Sequence, residues 1–201
     1  MSERHELDAQ TRPRLMPLPE EHWDARARKL LAVAPRDPGG RVPNIFTTLV
    51  RHPDLYEQFM PFGGQLLRRG RLPERLRELL ILRTSRNTGA RYEWGRHLPL
   101  AKAAGVTDAD IDRITEGTEA HGWTDLEEHL MRAADELHSD ARLSEATWEA
   151  LAGYFDDAEL IEIVMLVGQY HMVAFFLNTA GVELDPGFER MGFTEGGRNH
   201  A

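Results

Sequence analysis

Between residues 72 and 106 three side chains could move protons: Glu78, Glu93 and His97. Glu93 and His97 are four apart, so on a helix they share one face about 6 Å apart along the axis. A carboxylate near an imidazole can orient the ring and make it useful as a base or acid near neutral pH. The same spacing also decorates solvated helix surfaces, and it gains weight only with Glu78. That residue interrupts the apolar run Leu76 to Leu82 at the edge of a buried stripe, where a carboxylate must reach water or find partners. An ion pair with Arg75 or Arg83 is the structural alternative to catalysis.

An acidic substrate would need donors to hold it. Arg83, Arg91 and Arg96 are candidate anchors, each equally readable as a solvated helix charge. Tyr92 could offer its hydroxyl to a pocket, or pack; Trp94 points the other way and reads as core. Farther along, Glu162, Gln169, Tyr170, His171 and Asn178 put polar groups into apolar sequence. His171 is a further substrate-binding candidate, with a hydrogen-bonded structural histidine as its plainer reading. Met165, Met172, Phe175 and Phe176 read as packing groups. No metal site is expected: Glu78, Glu93, His97 and His171 offer ligand types but lack the H-E-x-x-H or paired E-x-x-H spacing. Neither a phosphate-binding glycine loop nor a dinucleotide fingerprint follows a strand.

Positioning these groups falls to helices, because apolar residues recur at helical spacing and no stretch alternates as a strand would. Pro13, Pro17 and Pro19 make the first twenty residues an arm; a helix follows from Glu20 to about Val33 and stops at Pro35. A short helix spans 44 to 50, and Pro53 opens another that reaches Gly70 with a bend or interruption at Pro61 and Gly63-Gly64. Arg68-Arg69-Gly70-Arg71 reads as a wet loop. Pro73 starts a strongly apolar helix, a second runs from about Ala90 to Ala104 with Gly105 as its cap, and Thr107 with Asp110 marks a short third. Helices near 124 to 139, 144 to 153, 156 to 168 and 169 to 180 complete the chain, with Ser144 and Asp156 as N-caps.

Composition narrows the function classes. The 201 residues can form one domain with a substantial core. A net charge of −9 with 28% charged residues argues against a nucleic-acid footprint. There are no cysteines, which removes disulfides, thiolate catalysis and cysteine-ligated metals. No N-terminal apolar h-region follows Met1 and no apolar run of about 18 residues stands out, so no membrane partner and a cytoplasmic location are expected.

A faint internal echo is also present. Leu76 to Leu82 parallels Leu160 to Leu166 at an offset of 160 − 76 = 84, and Ala104-Gly105-Val106 parallels Ala180-Gly181-Val182 at 180 − 104 = 76. Two helical hairpins related by pseudo-symmetry would explain it, as would chance similarity between amphipathic helices.

The combination resembles the carboxymuconolactone decarboxylase family, which includes the alkylhydroperoxidase D-like proteins. The resemblance runs from about Val42 to Leu184 and rests on Val42-Pro43-Asn44-Ile45-Phe46, His52-Pro53, Leu72-Pro73-Glu74-Arg75-Leu76-Arg77-Glu78, Tyr92-Glu93-Trp94, His97 and Ala104-Gly105-Val106. It implies an all-α, alkylhydroperoxidase D-like helical domain with internally repeated hairpins over 42–185, preceded by an arm and helix over 1–41 and followed by a tail over 186–201. It also implies a homo-oligomer, with a trimer or hexamer favoured over a dimer. In the peroxidase branch a glutamate precedes a C-x-x-C pair and a histidine; here Glu78 and His97 match the outer positions, while Ala90 and Glu93 stand where the thiols would be. Alanine cannot attack a peroxide and glutamate cannot cycle through a disulfide.

What the resemblance leaves is proton transfer by Glu78, Glu93 and His97, with Arg83, Tyr92, Arg96 and His171 as substrate-binding candidates. The implied activity is cofactor-independent decarboxylation of a small anionic lactone or related carbonyl compound. A non-catalytic oligomeric binding or scaffold protein, an isomerase and a metal-assisted enzyme are the alternatives on the same fold.

Overall fold

A computed structural model describes residues 13–188 and Phe193. Among them are nine α-helices, one 3-10 turn (Glu20–His22) and no strand. In chain order the helices are α1 (Ala25–Ala32), α2 (Asn44–Leu49), α3 (Pro53–Arg68), α4 (Glu74–Thr88), α5 (Arg91–Ala103), α6 (Asp108–Glu116), α7 (Asp125–Asp140), α8 (Glu145–Ala152) and α9 (Asp157–Ala180).

Helix α4 is central because its middle turn is apolar on every side. Leu79, Leu80, Ile81 and Leu82 are consecutive and fully buried, and α5, α6, α7 and α9 pack around them. A turn apolar all round belongs inside, where each such side chain contributes about 1.5–3 kcal/mol relative to exposure. Glu78, one residue before this run, is carried into the core with it.

Local chain chemistry then sets where the neighbours go. Gly89 adopts φ 66°, a left-handed conformation that suits glycine, and the Ala90 N–H donates to the Ser85 carbonyl at 2.9 Å. Only Gly89 and Ala90 separate α4 from α5, so α5 folds straight back along α4. Side chains of His52, Thr107, Ser144 and Asp156 cap α3, α6, α8 and α9. Thr107 with Asp110 and Thr124 with Glu127 form reciprocal capping boxes. Arg75 joins the two boxes, bonding Asp110 at 2.8 Å, Glu127 at 2.7 Å and the Gly105 carbonyl at 2.7 Å. Burial pushes the Asp110 carboxyl up, but Arg75, Thr107 and Arg113 outweigh it and hold the group below the usual carboxylate range.

Several elements differ from the sequence expectation. The helix expected from Glu20 is split into the 3-10 turn and α1, which Asp24 caps. Helix α3 runs unbroken through Pro61 and Gly63-Gly64. The helices expected at 156–168 and 169–180 are the single helix α9, in which Gly168 lies exposed without causing a break. By length and composition α9 could also cross a membrane, with an 18-residue window of mean hydropathy 1.8, although half of that window is buried against the rest of the chain. The sequence reading overlooked this because Gly168, Gln169 and His171 interrupt the run without making it polar.

The internal echo is therefore only partly a structural repeat. Leu76 to Leu82 lies on α4 and Ala104-Gly105-Val106 ends α5, whereas both counterparts belong to α9 and its end. The end signals do repeat: Gly105 and Gly181 both have positive φ, with Val106 N–H donating to Ala101 and Val182 N–H to Leu177, each five residues back. The hairpin does not. The described part of the arm is held by Arg14 and Leu15 N–H groups on the Ala180 carbonyl. Residues 1–12 of the expected arm, and 189–192 and 194–201 of the expected tail, lie outside the described residues.

Candidate functional site

Glu78 on α4 and His97 on α5 meet across the hairpin. His97 Nδ1 lies 2.8 Å from Glu78 Oε2, and Arg77 Nε donates to Glu78 Oε1 at 3.2 Å. A carboxylate is an acceptor, so Nδ1 donates to Glu78 and Nε2 is the ring nitrogen turned away from it. Glu78 has no exposed surface while His97 keeps 8%, so the pair meets the outside through the imidazole. Tyr170, from α9, stands edge-on to the His97 ring with 4.9 Å between centroids. Burial, then the charges of Glu78 and Glu93, raise its phenol well above the ordinary tyrosine range, so the hydroxyl remains a proton donor.

Glu93 lies one turn before His97, fully enclosed. Burial pushes its carboxyl well above the usual range, against a smaller opposing effect of Ser85. Hydrogen bonding agrees. Ser85 Oγ is 2.8 Å from the Ile81 carbonyl and 3.1 Å from Glu93 Oε2, and a single hydroxyl proton serves only one of them. With Glu93 protonated, Glu93 donates to Ser85 and Ser85 donates to Ile81. The other oxygen, Oε1, is buried with no partner among the described residues, which a neutral acid tolerates far better than a carboxylate.

The expected trio thus converges, with a change in pairing: the imidazole is oriented by Glu78 across the hairpin, and Glu93 goes to Ser85. Neither Arg75 nor Arg83 pairs with Glu78. The four expected substrate-binding residues are not brought to the cluster. Arg83 is forked onto Asp135 at 2.6 and 2.9 Å and donates to the Ile114 carbonyl at 2.7 Å, tying α4 to α7. Tyr92 is a buried pin: its hydroxyl donates to Asp185 at 2.7 Å and accepts from the Ile45 N–H at 3.1 Å. Arg96 reaches Asp185 at 3.6 Å and covers the Phe188 ring. His171 bonds the Val167 carbonyl at 2.9 Å and His138 at 3.0 Å, on the side of α9 that meets α7. Arg91 packs over Phe193.

Two participants were missed. Arg77 is the arginine at the site, its side chain 12% exposed, and only its adjacency to Glu78 could have suggested it. Ser85 lies seven residues after Glu78, two turns along one face of α4, a spacing that was readable. Tyr170 was noticed as a polar interruption, but its meeting with His97 depends on how α9 packs on α4. No group of three histidine, aspartate or glutamate side chains suited to a metal occurs among the described residues. Two surface clefts, one beside Leu18, Ala27 and Val50 and another beside Glu136, Leu143 and Ser144, contain no member of the cluster.

A helical frame with a glutamate and a histidine facing each other across a hairpin defines the class: this is an alkylhydroperoxidase D-like fold. A peroxidase-related protein from Ralstonia eutropha JMP134 with an alkylhydroperoxidase AhpD core shares it at TM-score 0.71 and 22% identity, over 89% of this chain and 96% of that one. So does a peroxidase-related protein from Silicibacter sp. TM1040, at TM-score 0.71 and 17% identity over 94% and 97% of the two chains. The debrominase Bmp8, solved as a cysteine-to-alanine variant with 2,3,4-tribromopyrrole, is similar at TM-score 0.70 and 17% identity over 90% and 97%. Residues 53–136 match the model of the carboxymuconolactone decarboxylase family, and the chain has no cysteine. No curated protein matches the chain.

Proposed function

We propose that the protein is a cofactor-independent acid/base enzyme that decarboxylates a small carboxylated lactone or related carbonyl compound in the cytoplasm. One observation carries the reading: an imidazole bonded to a buried glutamate lies one helical turn from a second buried glutamate whose proton affinity burial raises. Carboxyl groups in contrasting environments are how one site provides both a base and an acid.

In this reading the Arg77 guanidinium holds the substrate carboxylate or its neighbouring oxygen. The carbon–carbon bond to the departing carboxylate breaks, its electron pair enters the substrate's own conjugated carbonyl system, and carbon dioxide leaves. Glu93 or His97 then returns a proton to carbon, and water restores the spent acid. The Tyr170 hydroxyl is a donor for the enolate oxygen that develops. Nothing in this sequence of steps needs a thiol.

The test is incubation with a panel of unsaturated lactones and keto acids, followed by product mass. Loss of carbon dioxide that disappears in His97→Ala supports the reading. A product of unchanged mass redirects the assignment to isomerisation, and no conversion by a folded protein favours the non-catalytic binding or scaffold alternative.

A further inference from the structure

We propose that His138 on α7 and His171 on α9 form a site for a divalent transition-metal ion, held by two imidazoles at a right angle and completed by water, with Cu²⁺ the preferred ion and Ni²⁺ next. The site shares no residue with the acid/base cluster and stands without that reading. His138 Nδ1 lies 3.0 Å from His171 Nε2, with 5.2 Å between ring centroids and 33° between the ring planes. Hydrogen bonding fixes the protons. His171 Nδ1 lies 2.9 Å from the Val167 carbonyl, which only accepts, so Nδ1 carries the proton and the neutral ring turns the Nε2 lone pair towards His138. His138 meets that lone pair with the proton on its own Nδ1. When this proton moves to His138 Nε2, the other neutral tautomer, both facing nitrogens offer lone pairs to one ion.

The separation selects the geometry. At a metal–imidazole length of about 2.0–2.1 Å, nitrogens 3.0 Å apart subtend roughly 91–97° at the ion, whereas a tetrahedral angle needs them about 3.3 Å apart. The smaller angle is that of neighbouring ligands in a tetragonal site, which suits Cu²⁺ and Ni²⁺ better than Zn²⁺. The surroundings meet the other requirements. The Val167 carbonyl holds the far nitrogen of His171, the outer hydrogen bond that metal-bound histidines ordinarily make. His138 is exposed and His171 half-buried, so ion and water have an entry path. Among the described residues, the charged side chains acting on His138 are Asp135 of its own helix and Arg83 of α4, and these are forked onto each other at 2.6 and 2.9 Å. Asp135 also accepts from Asn87 and Thr118, so it is not a third ligand. Desolvation, then His171 and Arg83, outweigh Asp135 and lower the proton affinity of His138, which leaves the imidazole neutral and free to ligate at pH 7. Two protein ligands leave the remaining positions to water, and the net charge of −9 favours a cation.

The test titrates the full chain, without a histidine tag, with Cu²⁺ near neutral pH and follows it by calorimetry and electron paramagnetic resonance. One ion should bind per chain, with an axial spectrum split by two nitrogens. His138→Ala and His171→Ala should each weaken binding by about 10²-fold, the upper end of what losing even an outer-shell partner costs, and remove one nitrogen from the spectrum. His129→Ala, on the same helix as His138, should bind as the wild type does. Ni²⁺ should raise the melting temperature of the wild type and of neither ligand variant, because an ion bridging α7 and α9 stabilises only the folded chain. His138 is exposed, so His138→Ala decides even if His171→Ala fails to fold. Binding unchanged in His138→Ala would overturn the proposal, because the ion would then sit elsewhere on the chain. So would a wild-type spectrum with a single nitrogen, or no binding up to about 1 mM Cu²⁺.

Discussion

Glu78 and Glu162 occupy the same place in two similar apolar runs, yet one holds an imidazole and the other holds a loop. Glu162 accepts the N–H groups of Arg71 at 2.8 Å and Leu72 at 3.1 Å, fixing the entry to α4. The difference lies downstream of each glutamate. After Glu78 the chain turns at Gly89-Ala90 and α5 returns along α4, bringing Glu93 and His97 back to the carboxylate. After Glu162 the helix continues to Ala180 without a turn. At the offset of 76, Glu93 and His97 correspond to Gln169 and Val173, which lie farther along the same helix and cannot fold back. A two-residue turn, more than the glutamate, separates the Glu78–His97 cluster from a capped loop.

The comparison breaks most visibly at His97. His97→Ala should lower turnover by about 10²–10⁴-fold, the range general acid–base groups contribute, with the helical signal retained; rates within twofold of wild type would place the chemistry elsewhere. Glu78→Gln should cost turnover about 10²-fold, the low end of what a general acid–base group contributes, because the amide no longer enforces the Nδ1–H tautomer. Glu162→Gln sharpens the contrast: turnover should be unchanged, while thermal unfolding falls by roughly 2–4 °C for about 1 kcal/mol of weakened loop capping. Equal effects of the two substitutions on turnover would erase the distinction between the runs.

Glu93 adds a smaller, pH-dependent effect. Its proton affinity is raised in the folded protein, against an unfolded value of about 4.3. Its stabilising contribution is therefore fully present below about 4.3 and is lost as pH rises through the raised folded value, since the unfolded chain releases the proton first. Glu93→Gln should remove that decline, giving a melting temperature less dependent on pH over this window.

The helices and caps were legible in the sequence because they depend on near neighbours. Thr107 with Asp110, Ser144 and Asp156 act over a few residues. The convergence of Glu78, Glu93 and His97 was legible too, because one short hairpin carries all three. The substrate-binding expectations fared worse, for a physical reason. Arg83, Arg96 and Tyr92 find partners 52, 89 and 93 residues away in Asp135 and Asp185, and a local pattern says nothing about such partners. The long α9 was read as two helices because glycine usually marks a break; here its backbone stays helical.

The central claim is that the site stores a neutral carboxylic acid in Glu93 beside the oriented imidazole. Infrared difference spectroscopy of wild type against Glu93→Gln at neutral pH tests it without a substrate. A protonated carboxyl stretch present in the wild type and absent from the variant is the expected result. A difference spectrum showing only carboxylate bands would contradict the account.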